Sequence, residues 1–167
     1  MGTIRRAERR DIPRLLTLLE QVNMVHHRAR PDLFNGPATK YNRAELEEML
    51  EEEQRPIFAW TDENDVLQGY AFCIHQQHVH DPILTDIRTL YIDDLCVEES
   101  FRGQHVGREL YEYVLAYARS CGCYNVTLNV WVGNDSAMGF YERCGLKPQK
   151  IGMETILSSS GPILPEG

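Results

Sequence analysis

Val97-Glu98-Glu99-Ser100-Phe101-Arg102-Gly103-Gln104-His105-Val106-Gly107-Arg108-Glu109-Leu110 decides the reading of this chain. The apolar run from Ile92 to Val97 halts at an acidic turn. A loop carrying Arg102, Gly103, Gly107 and Arg108 follows, and an amphipathic helix pattern begins at Val106. A strand that passes through a basic glycine loop into a helix leaves the first amide N–H groups of that helix without partners. It also sets the positive end of the helix dipole at the same place. Such a loop receives an anion, and phosphate above all. It is not a P-loop, because no Gly-Lys-Ser/Thr occurs anywhere in the chain. It is not a dinucleotide loop either, because Gly103 and Gly107 do not fit G-x-G-x-x-G.

Outward from the loop, periodicity sets the elements. Ile4-Arg5-Arg6-Ala7 reads as a first strand, and Asp11 as the cap of a helix with Pro13 in its first turn. Ile12, Leu15, Leu16, Leu19 and Val22 give that helix one buried stripe. His26 to Tyr41, with two prolines and a glycine, reads as loop, and a second helix is expected from Asn42 or Arg43 to about Glu53. Pro56 to Thr61 and Val66 to about Gln76 make an antiparallel pair around the polar turn Asp62-Glu63-Asn64-Asp65. The long strand Arg88 to Val97 comes next, then a helix with Val106, Leu110, Val114, Tyr117, Ala118 and Cys121 on one stripe. Asn125 to Val132 is expected as a strand parallel to Arg88 to Val97, because a crossover helix lies between them. A short helix over Ser136 to Arg143 and a last strand over Leu146 to Leu157 complete the sheet. The order is strand, two helices, three antiparallel strands, helix, strand, helix, strand. It specifies an α/β (α+β) fold with a mixed, mainly antiparallel sheet and helices on both faces.

Arg102 to Gly107 resembles the pyrophosphate loop of the GNAT superfamily of acyl-CoA-dependent N-acyltransferases, Arg/Gln-x-x-Gly-x-Gly/Ala. His105 stands where that family has glycine. Asn134-Asp135-Ser136-Ala137-Met138-Gly139-Phe140-Tyr141-Glu142-Arg143-Cys144-Gly145-Leu146 resembles the family's second signature, Asn-x-x-Ala-x-x-Phe-Tyr-x-x-x-Gly-Phe, and departs from it only at Leu146. The first strand and helix fit the family's opening, so the resemblance covers Thr3 to Leu157.

The resemblance implies an N-acetyltransferase that moves an acetyl group from acetyl-CoA directly to a primary amine, on a small molecule or a peptide. A different class, an acyl-CoA-binding regulatory domain without turnover, is the alternative. In the family, strands four and five splay apart and the pantetheine arm enters between them as a missing strand. Leu95, Cys96 and Val97 would offer the backbone contacts. Gly103, Gln104, His105, Val106 and Gly107, with Arg102 and Arg108, would hold the pyrophosphate, and Asn134 the arm. Tyr141 matches the tyrosine that assists the leaving thiolate. The base is open among Asp93, which matches a glutamate of related polyamine acetyltransferases, its neighbour Asp94, and a water wire. Two carboxylates inside an apolar strand need partners, and regular alternation places them on opposite faces, with Asp93 beside Leu95 and Val97.

The chain's 43% apolar residues suffice for one core, so residues 1–157 are expected as a single domain and 158–167 as a flexible tail. A formal charge of −8, from 17 basic against 25 acidic residues, argues against a nucleic-acid surface. No apolar run approaches the roughly 18 residues that span a bilayer. The amino terminus lacks a signal-peptide core, so a cytoplasmic protein is expected, with no membrane partner. Five cysteines without a secretory signal read as reduced thiols. Neither Cys121-Gly122-Cys123 nor His75, His78 and His80 makes a metal site. A homodimer is possible, with Tyr111, Tyr113 and Trp131 as interface or core.

Overall fold

The computed structural model describes residues 2–157. The tail expected over 158–167 lies outside the described residues. Five strands form one sheet in the order β1-β2-β3-β4-β5: β1 is Thr3–Arg6, β2 Ile57–Thr61, β3 Leu67–Gln77, β4 Arg88–Val97 and β5 Asn125–Leu128. The first four pair antiparallel, and β5 runs parallel to β4. The helices are α1 (Ile12–Ala29), α2 (Arg43–Met49), α3 (Val106–Ser120) and α4 (Asp135–Arg143).

Alternation along the strands sends side chains to two separate cores. Ile57 and Ala59 of β2 join Ile12, Leu15, Leu18 and Leu19 of α1 on one face, with Leu46 and Met49 of α2. Phe58 and Trp60 join Val106, Leu110, Val114 and Ala118 of α3 on the other. Two buried faces explain why β2 is buried throughout, with four apolar residues in succession before Thr61 rather than an alternation.

Sequence and structure part at four places. First, α1 runs on through His26 and His27 to Ala29, and the cationic Arg28 in its last turn suits the negative end of the helix dipole. Second, Asp11 does not cap α1. Its buried carboxylate accepts from the Glu8 amide at 2.7 Å and from both Arg5 terminal nitrogens, at 2.7 and 3.1 Å, and the Arg5 guanidinium is pushed up in pKa chiefly by that bond. Third, α2 ends at Met49 and β5 at Leu128, both short of expectation. Asn42 does cap α2, in a reciprocal box with Glu45. Fourth, Leu146 to Leu157 forms no strand. A four-residue β5 offers little edge to pair with, Pro148 brings no N–H, and Ile151 and Met153 stand 79% and 89% exposed.

Candidate active site

Pairing between β4 and β5 holds only from Thr89↔Asn125 to Ile92↔Leu128. Beyond it, β4 runs on from Asp93 to Val97 with no strand paired on that side among the described residues. This is the splay expected from the sequence. It arises because β5 stops at Leu128 and the chain turns away through Gly133, whose φ is +103°, into α4.

The open stretch of β4 feeds the glycine loop. Among the described residues no turn, loop or cap hydrogen bond is made by the amides of Gly103 to Gly107, and those of Val106 and Gly107 open the first turn of α3, where a helix leaves its amides without intrahelical partners. The Arg102 Nε–H folds back to the Val97 carbonyl at 3.3 Å, the Gln104 side chain donates to the Ser100 carbonyl, and Arg108 pairs with Glu112. Gly107 lets the first turn of α3 seat closely: a Cβ there would lie 3.3 Å from Phe140 Cζ and 3.7 Å from Val97 Cγ2. Val106 is buried.

His105 occupies the family's glycine place in a left-handed conformation, φ 65° and ψ 14°, with its side chain exposed. A Cβ in that region is strained. His105→Gly is therefore expected to stabilise the protein by about 0.5–1 kcal/mol. The check is a higher urea midpoint at unchanged m-value.

Two carboxylates lie where the splay opens, and the sheet is irregular there. Phe72 pairs with Asp94 and Cys73 with Ile92, so Asp93 is the extra residue of a β-bulge. The bulge reverses the alternation: Leu90 and Ile92 face α3, whereas Cys96 faces α1. Both carboxylates consequently address the α1 face, and Asp93 does not share a face with Leu95 and Val97, which pack on the α3 side. Simple alternation missed this because a bulge leaves no clear mark in the sequence.

Their surroundings differ. Asp93 accepts from Lys40 Nζ at 2.7 Å and Tyr41 Oη at 2.6 Å, and its side chain is only 8% exposed. Asp94 accepts from the buried Tyr70 hydroxyl at 2.8 Å. Burial pushes the Asp94 carboxyl up to about 6, and the negative Asp93 adds to the rise, while the Tyr70 bond and Lys40 oppose it. Neither Lys40, Tyr41 nor Tyr70 was singled out from sequence, because each comes from a segment distant in the chain.

Tyr141 of α4 is half-buried, edge-on to Phe140 at 5.1 Å. Its hydroxyl has no hydrogen-bond partner among the described residues. Burial raises its pKa first, then the negative potential of Asp94 and the neighbouring Cys144 and Cys96. Asn134 caps α4, its Oδ1 accepting from Ala137 N at 3.3 Å. Cys96 turns its thiol toward the Leu18 carbonyl, and burial pushes that thiol up to about 12. All five cysteines are free.

A gap in the sheet, a basic loop of unclaimed amides and a phenol that feels the charge of a desolvated carboxyl lie together. The model of the acetyltransferase (GNAT) family matches residues 22–146. The chain belongs to that family. Its acetyltransferases use acetyl-CoA as co-substrate, and the open edge of β4 and the free amides of Gly103 to Gly107 suit the amide-bearing arm and pyrophosphate of that molecule. Glucosamine 6-phosphate N-acetyltransferase of Arabidopsis thaliana is 36% identical to this GNAT chain over 63 residues, 38% of this chain. The matched part is 40% of that enzyme, so the chain spans about two fifths of the curated relative it matches. Among solved structures, a mutant of the BH1408 protein of Bacillus halodurans superposes with a TM-score of 0.88 at 29% identity, covering 93% of this chain and 99% of that one. The crystal structure of the Arabidopsis enzyme shares the fold, with a TM-score of 0.68 at 21% identity over 93% of this chain and 98% of that one.

The remaining aromatic residues sort as follows. Tyr111 is core, Tyr113 meets Phe58 edge-on, and Trp131 meets Phe34 of the α1–α2 segment edge-on at 5.4 Å. His75 bonds the Tyr117 hydroxyl at 2.8 Å, and the described residues contain no cluster of metal-ligating side chains. Among the described residues no helix is long and apolar enough to cross a membrane.

Proposed function

We propose that the protein transfers an acetyl group from acetyl-CoA to a primary amine, with Asp94 as general base and Tyr141 as hydrogen-bond donor to the departing sulfur. The observation that carries this reading is the end of β4–β5 pairing at Ile92↔Leu128, directly ahead of the loop of free amides. The backbone of Leu95, Cys96 and Val97 aligns the arm by strand addition. The amides of Gly103 to Gly107, with Arg102 and Arg108, hold the pyrophosphate. Bound acetyl-CoA supplies an activated thioester carbonyl.

The chain's own residues then manage charge. An alkylammonium with a pKa of roughly 10 must lose a proton before it is nucleophilic. Asp94, at about 6, is ionised at neutral pH and basic enough to take that proton, directly or through a water. A β4 amide facing the gap stabilises the oxyanion. Asp93, already engaged by Lys40 and Tyr41, is the weaker candidate for base.

The acceptor side is formed by the α1–α2 segment. Residues 24–41 carry Arg28, Arg30 and Lys40 against a single acid, Asp32, in a chain of charge −8. Arg30 is paired with Asp32 and Glu154 and Lys40 with Asp93, which leaves Arg28 as the segment's cation for an amine that also bears an anion, and the likeness to the Arabidopsis enzyme makes glucosamine 6-phosphate the first compound to try. The experiment incubates the protein with acetyl-CoA and glucosamine 6-phosphate, glucosamine, spermidine and lysine-containing peptides, and follows free thiol. Amine-dependent thiol release is expected. Tight coenzyme A binding with no release on any amine would instead support a regulatory acyl-CoA-binding domain.

A further inference from the structure

The bulge at Asp93 has an unusual set of partners. Its carboxylate reaches out of the sheet to two consecutive residues of the α1–α2 segment, Lys40 and Tyr41, at 2.7 and 2.6 Å. The Tyr41 ring stacks on Phe72, the residue paired with Asp94, with centroids 5.6 Å apart, and the Arg55 guanidinium lies over that ring at 5.6 Å. Lys40 is 47% exposed, so its ammonium is tethered at the edge of the open gap rather than buried. At its other end the segment is held by Arg30 pairing with Asp32 and Glu154, by His27 bonding the Phe34 carbonyl at 2.7 Å, by Phe34 against His26 and Trp131, and by Asn23 donating to the Asn35 and Gly36 carbonyls.

From this geometry we infer that Asp93 is a positioning residue: it straps the α1–α2 segment to the β4 bulge and so fixes the acceptor-side wall next to Asp94. Two charge-assisted bonds to one largely buried carboxylate hold a segment otherwise without regular structure between Arg30 and Asn42. An extra residue in β4 is what allows adjacent carboxylates to serve two purposes on one face, Asp93 toward the segment and Asp94 toward Tyr70 and the gap. The catalytic half of this inference rests on the proposed acetyl transfer; the strap itself does not.

The test uses Asp93→Asn and Tyr41→Phe in the full chain. Trypsin cleavage after Lys40 should accelerate about tenfold or more in Asp93→Asn, since the loss of a charged hydrogen bond shifts local opening by that order, and by less in Tyr41→Phe. With the most active amine of the panel, the acceptor KM should rise about tenfold while kcat at saturation stays within a fewfold. The acidic limb of the pH–rate profile should persist, because Asp94 is untouched. Asp94 is faced by Tyr70 from β3, Lys40 from the segment, Tyr141 from α4 and Asp93 and Cys96 on its own strand; the variant removes the Asp93 charge that raises it and loosens the Lys40 charge that lowers it, two opposing changes. Native-like cleavage in both variants overturns the strap, whether or not any amine is turned over. Loss of kcat and of the acidic limb in Asp93→Asn would make Asp93 the base and overturn the positioning role. Fast cleavage with no turnover by the native protein on any amine would sink the transferase reading and leave the strap standing.

Discussion

Asp94→Asn is expected to lower the rate of acetyl transfer at neutral pH by about 10²–10⁴-fold, the usual loss on removing a general base, and to make the protein more stable at the same time. In the native protein the rate should climb as pH rises through about 6, because Asp94 must be ionised to accept the proton. The variant should lack that limb and recover only at high pH, where free amine is abundant. Stability moves the other way. The folded carboxyl sits at about 6 against an ordinary 3.8, so folding favours the protonated form. That contribution is fully present below the ordinary value and is lost as pH rises through about 6. Above it the buried carboxylate costs up to roughly 3 kcal/mol. The amide avoids that charge and still accepts from Tyr70, so Asp94→Asn should gain about 1–3 kcal/mol at pH 8 and little at pH 4. Urea melts at the two pH values beside the pH–rate profile check both halves. An unchanged profile would assign the proton to ordered water.

Tyr141→Phe is expected to be the second large loss. The ring and its contact with Phe140 remain, so fold and coenzyme A affinity should hardly change. The hydroxyl, which has no hydrogen-bond partner among the described residues, disappears. Its raised pKa keeps it protonated throughout the working range, so in the proposed mechanism it donates to the sulfur as negative charge builds there. A fall in kcat of about 10²–10⁴-fold with unaltered acetyl-CoA KM is the expected signature. Equal turnover would mean that Tyr141 is packing alone and that the thiolate leaves unaided.

How far the sequence reached is best judged at particular residues. The bounds of β4, the parallel crossover to β5 and the start of α3 at Val106 were all legible, because long apolar periods and glycine punctuation are local signals. The splay could be anticipated only through the two family-like signatures, since nothing in Asn125 to Val132 marks Leu128 as the last paired residue. The expected strand over Leu146 to Leu157 failed because a strand needs an edge, and the sequence does not reveal how short β5 is. At the site, Asp93 and Asp94 were visible as misplaced charges in an apolar run. Their roles were not, because the bulge and the partners Lys40, Tyr41 and Tyr70 are tertiary facts. His105 was seen as a departure from glycine, and its left-handed backbone shows that the loop keeps the conformation glycine would take.

The central claim is that the gap beside β4 and the loop ahead of α3 together receive acetyl-CoA, and backbone hydrogen exchange with and without coenzyme A tests it most directly. The gap-facing amides within Asp93 to Val97 and the free amides of Gly103 to Gly107 should slow strongly on binding, whereas Thr89 to Ile92, already paired with β5, should not change. Binding that leaves those amides exchanging freely, with protection elsewhere on the molecule, would contradict the account.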